Sequence, residues 1–130
     1  MAHDIRLIHV RDFLRRDVDG VIDVKSSRRL LKEVANASVE RDNHRIFVDI
    51  RDTPPGGQLS VVDILEIASI LGELGFGPHN RIAILNDPKD DFDRGAFLET
   101  CAVNRGFNIR AFRDSEKARF WLASDCAVPA

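Results

Sequence analysis

Five of the 21 acids of this 130-residue chain stand where two apolar runs end. Asp49 and Asp52 stand at and after the run Ile46-Phe47-Val48-Asp49-Ile50, and Asp87, Asp90 and Asp91 follow Arg81–Leu85. Carboxylates that converge from neighbouring strand ends are the oxygen donors a hard cation such as magnesium takes. Asp49, Asp87 and Asp90 would then serve a metal-dependent hydrolase. Turn chemistry accounts for the same residues more simply. Asp52 suits a turn before Pro54, and Asp90 or Asp91 suits a helix cap. The residue pattern therefore assigns no catalytic residue, no metal ligand and no cofactor.

Between Asp52 and the next apolar run lies Thr53-Pro54-Pro55-Gly56-Gly57-Gln58. Glycines before a helix can offer backbone amides to an anion. This loop has neither the lysine nor the spacing of a phosphate-binding loop, so it reads as a proline-stiffened surface segment. Asp49, Asp52, Thr53, Gly56, Gly57 and Ser60 together form the expected ligand or partner loop. The four histidines, His3, His9, His44 and His79, share no motif, and no serine lies in a nucleophile elbow. Cys101 falls on the apolar face of a helical pattern, which makes it a core thiol, and Cys126 stands alone near the C-terminus.

The elements that must hold these residues follow from hydrophobic period. Ile5–Val10 reads as a first strand and Gly20–Asp23 as a short second one, with residues 11–17 as an optional hairpin extension. Lys25–Val39 is a helix, with Leu30, Leu31, Val34 and Ser38 on one face and Ser26 or Ser27 as its cap. Ile46–Ile50 is the central strand, apolar on both faces as strands covered on both sides are. The next helix starts at Ser60, where Asp63 three residues on gives a capping box. It runs to Leu74, and Gly75 and Gly77 stop it. Its apolar surface is so wide that Ile67, Ile70 and Leu74 are expected to reach a partner as well as the sheet. Arg81–Leu85 is a strand, about 92–105 a helix, and Asn108–Phe112 the last strand. Asp114 caps a final helix through Leu122, with Ala118, Trp121 and Leu122 inward. Residues 124–130 read as a loose tail after a single domain spanning 1–123.

The order β-β-α-β-α-β-α-β-α predicts an α/β fold, with one sheet of about five mainly parallel strands and four helices. Composition agrees: hydrophobic residues are 44% and charged residues 31%, the balance of a globular domain. A net charge of -2 argues against nucleic acid as a partner. No run reaches the roughly 20 apolar residues of a membrane span, so no stable membrane insertion is expected. The N-terminus lacks a secretory pattern, and two separated cysteines fit a reducing cytoplasm.

Three segments carry a family resemblance: Gly20-Val21-Ile22-Asp23 leading into the first helix, Ile46–Ile50, and the closing Phe112-Arg113-Asp114-Ser115-Glu116-Lys117-Ala118-Arg119-Phe120-Trp121-Leu122. Together they resemble the SpoIIAA-like, STAS-type domains of bacteria, related to SEC14-like proteins. The resemblance implies a single sheet flanked by helices, no cofactor, and a regulatory role through protein contacts. It also implies a phosphoacceptor in an Asp-Ser-Ser/Thr-Gly motif after the central strand. That motif is absent here, and Thr53 and Ser60 are the hydroxyls nearest its place. The SEC14-like side implies instead a carrier of a small apolar or anionic ligand. The preferred expectation is a non-enzymatic interaction module that pairs with itself as a homodimer or with a regulatory protein.

Overall fold

The computed structural model describes residues 7–10, 13–19, 23–52, 60–86 and 94–123. Five strands form one sheet in the order β1 (Leu7–Val10), β2 (Phe13–Asp19), β3 (Arg45–Asp52), β4 (Arg81–Leu85), β5 (Asn108–Phe112). β1 and β2 pair antiparallel, with Val10 opposite Phe13. β2, β3, β4 and β5 are mutually parallel, so each step along this part of the sheet needs a crossover. The helices are α1 (Val24–Glu40), α2 (Val61–Ser69), α3 (Leu71–Leu74), α4 (Arg94–Val103) and α5 (Ser115–Ala123).

The α/β class and the single, mainly parallel sheet match the expectation; two boundaries differ. The second strand is Phe13–Asp19, not Gly20–Asp23. Four charged residues, Arg15, Arg16, Asp17 and Asp19, hide it from a hydrophobicity reading, yet its backbone pairs on both sides. Asp23 is instead the N-cap of α1: its carboxylate accepts from the Ser26 amide, and the Ser26 hydroxyl accepts from the Asp23 amide. The expected helix from Ser60 to Leu74 is two helices that meet at Ile70. The Ser69 hydroxyl donates back to the Glu66 carbonyl at 2.7 Å, a bond that competes with the helical ladder. Gly75, at φ 114°, closes α3 in the left-handed region, where a Cβ would be strained.

Strand alternation splits the core in two. Ile46 and Val48 of β3, Ile82 and Ile84 of β4 and Ile109 of β5 face α1, α2, α3 and α4, whose Val34, Ile67, Leu71 and Ala102 complete that layer. The intervening residues Phe47, Ala83 and Leu85 pack with Phe13 against Ala118 and Leu122 of α5. Among the described helices, α5 is therefore the one that covers the second face. Arg81, buried at the start of β4, ties it down: its guanidinium donates to the carbonyls of Trp121 and Leu122, both at 3.1 Å. A cation at a helix C-terminus also meets the negative end of the dipole.

Both sheet edges are short. On the β5 edge, Glu99 of α4 accepts from the Ala111 amide at 2.8 Å, so one outward N–H is already engaged. Such a contact removes a docking point for another strand.

Candidate functional site

The central strand carries its acid toward the α5 face. β2 reads Phe13-x-Arg15-x-Asp17 and β3 reads Phe47-x-Asp49-x-Arg51, so each strand places an aromatic and two opposite charges on the same side. The register sets Arg15 opposite Phe47 and Asp17 opposite Asp49. Phe13 and Phe47 stack with ring centroids 5.8 Å apart, and the Arg15 guanidinium lies 4.7 Å from the Phe47 centroid.

Two carboxylates directly opposite on adjacent strands repel. Arg15 resolves this by bridging: its Nε donates to Asp17 at 2.8 Å and its Nη2 to Asp49 at 3.0 Å. Arg51 takes Asp49 from the other side, with Nη2 at 2.7 Å and Nε at 3.0 Å, and its own amide also donates to the Asp49 carboxylate. The Asp49 side chain is 9% exposed. Burial pushes its pKa up, but the side-chain and backbone hydrogen bonds of Arg51 and the charges of Arg51 and Arg15 outweigh that and hold it below the usual carboxylate range.

This geometry limits the chemistry. A carboxylate held ionised by two guanidiniums is a poor general base at neutral pH. It also faces positive charge where a cation would have to sit. Among the described residues, no three His, Cys, Asp or Glu side chains cluster as metal ligands. Asp87, Asp90 and Asp91, the other acids expected in a metal set, lie outside the described residues.

Asp52 ends β3 with its backbone opposite Asp19; Thr53, Gly56 and Gly57 lie outside the described residues. Ser60 caps α2, accepting from the Asp63 amide at 3.2 Å while the Asp63 carboxylate accepts from the Ser60 amide. Cys101 is buried as a free thiol.

The three residues expected at an interface need correction. Ile67 and Leu74 are 2% and 7% exposed in the core, and Ile70 packs against the same layer. Their face of the helix looks at the sheet. The outward apolar residues of α2 are Val61, Val62 and Leu65.

Residue pattern alone reads Arg15 as one of a pair of solvated surface charges and gives Asp17 and Arg51 no role in a site. The repeated aromatic-x-charge-x-charge spacing was their signal, but it acquires meaning once both segments are strands and their register is known.

At the opposite ends of the strands, His44 and His79 face each other with ring centroids 6.3 Å apart. Partial burial and the positive charge of Arg45, His79 and Arg81 lower the His44 pKa. Beneath them, the buried Asn80 accepts from the Gly77 amide and donates to the Ser38 hydroxyl, which joins α1 to the turn before β4.

No helix among the described residues is long and apolar enough to cross a membrane. In comparisons with known proteins, no family model matches this chain and no curated protein matches it.

Proposed function

We propose that this chain is a non-enzymatic regulatory module of the SpoIIAA-like type, working in the cytoplasm through contacts with other proteins, and that it pairs with itself through α2. The sequential parallel order of β2 to β5 supports the SpoIIAA-like reading as a compatible topology. The observation that carries the function is the outer surface of α2. Its inner side is core, yet Val61, Val62 and Leu65 stand exposed at 47%, 69% and 38%. They fall at helical spacing 61, 62, 65, which makes them one stripe. A closed two-fold dimer uses one self-complementary patch of this kind. The clamped Asp49 supports the non-enzymatic half of the reading, because the acid at the central strand end is committed to structure.

Sedimentation equilibrium tests the dimer. The wild-type chain is expected to sediment as a dimer, and V62D as a folded monomer with an unchanged far-ultraviolet spectrum. A wild-type chain that stays monomeric at the highest attainable concentration defeats the proposal. Because Val62 is exposed, its substitution does not disturb the core, whereas I67D would unfold the chain and say nothing about association.

A further inference from the structure

The face of the sheet opposite α1 to α4 presents a second surface, unrelated to α2 and independent of the dimer. Its ridge is α5. Phe120 is 77% exposed, an aromatic ring with almost no cover. Its neighbour Trp121, the single tryptophan of the chain, is half-buried and packs on Phe112 with ring centroids 5.8 Å apart. The exposed Arg110 of β5 lies over both rings, 5.7 Å from Phe112 and 6.0 Å from Trp121. Lys117, also exposed, precedes Phe120 by three residues and Trp121 by four, so it shares their side of the helix. Arg110, Trp121, Lys117 and Phe120 therefore form a row along one side of α5, with the exposed Glu116, four residues before Phe120, at its far edge.

Charge is segregated toward this part of the molecule. The β5–α5 stretch, residues 108–123, carries four lysines and arginines against two acids, whereas the whole chain carries 19 against 21. The surface thus combines an exposed aromatic, an arginine stacked on aromatics and a local positive excess. Aromatics and arginine are the residue types enriched in protein interfaces and among the side chains that dominate them.

We propose that the α5–β5 face docks an acidic segment of a partner protein, with a large apolar side chain of that segment set against Phe120 and its acids against Arg110 and Lys117. Charge complementarity selects the occupant. A nucleic-acid strand gains affinity from many phosphate contacts, and here Glu116 and Asp114 interrupt the cations along the same edge. A stable hold on an anionic membrane needs more than one inserted aromatic beside a denser basic cluster. A short acidic peptide needs only a few paired charges and one anchor.

Trp121 supplies the readout, since its emission reports on this face alone. The probe is a synthetic peptide alternating glutamate pairs with leucine, titrated at low ionic strength. Controls are the glutamine counterpart, a single-stranded oligonucleotide and vesicles of phosphatidylglycerol. The acidic peptide is expected to give a saturable change in emission that salt weakens. F120S and K117E are each expected to weaken binding by about tenfold with the circular dichroism spectrum unchanged. Equal binding of the glutamine peptide, unaltered binding by both variants, or no saturable response overturns the proposal. Tighter binding of the oligonucleotide or the vesicles overturns its choice of partner. None of these outcomes depends on whether V62D changes the oligomeric state.

Discussion

Replacing Asp49 by asparagine removes the charge that Arg15 and Arg51 both hold, and leaves Asp17 as the one carboxylate of the cluster. Breaking one partner of a buried ion pair is costly, but Arg51 is partly solvated, so D49N is expected to lower stability by about 2 kcal/mol in urea unfolding at pH 7. The pH dependence has a definite sign. The folded pKa lies below the ordinary value of 3.8, so the contribution is fully present above that value and is lost as pH falls through the folded one. Wild type and D49N should therefore converge in stability on acidification, and a gap that persists at low pH would show that the loss is packing and not charge. The acid itself was legible in the sequence, because one Asp interrupts the otherwise apolar run Ile46–Ile50. Its role was not. A metal ligand, a base and an arginine-clamped structural acid look alike until the neighbouring strand is placed.

At the scale of elements, α4 approaches the end of β4 closely. A Cβ on Gly95 would stand 2.8 Å from Cγ of the buried Asn86, closer than side chains tolerate. Asn86 cannot easily move, because its backbone and side-chain amides both donate to the Phe112 carbonyl. G95A is expected to lower stability by about 1–3 kcal/mol through overpacking. N86A opens the same space, so the double variant should lose less than the sum of the two singles in a denaturant cycle. Additive losses would mean that the two residues do not meet. The caps at this scale were readable from residue types: Ser60 with Asp63, and Asp114 with the Glu116 amide. The α1 cap is Asp23 and not Ser26 or Ser27, because β2 ends at Asp19 and leaves Asp23 free to open the helix. The break at Ile70 was hidden because Ile67, Ile70 and Leu74 continue an unbroken helical period. A serine bonding back to its own helix does not alter that period.

For the molecule as a whole, His44 at the amino end of β3 gives a second pH response. The His44 pKa is lowered in the folded chain from an ordinary value of 6.5. Stability from the neutral ring is therefore fully present above pH 6.5 and falls as pH drops through the folded value. His44 is largely exposed, so H44Q is expected to remove a small acid-side decline in the melting temperature between pH 7 and 5, and an unchanged decline would assign it elsewhere. The two faces of the sheet organise the rest. The unbroken apolar runs Ile46–Val48 and Ile82–Leu85 were enough to require cover on both faces, and the spacing of strands and helices was enough to require a parallel sheet. These depend on local period and chain connectivity, which a sequence contains. The tertiary structure decided what local pattern cannot hold: that a strand as charged as Phe13–Asp19 joins the sheet, that Asp49 meets Arg15 across 34 residues, and that Ile67 and Leu74 look inward while Val62 and Phe120 look out. Each is a question of which surfaces meet, and an apolar residue has the same sequence whether it meets its own core or a partner.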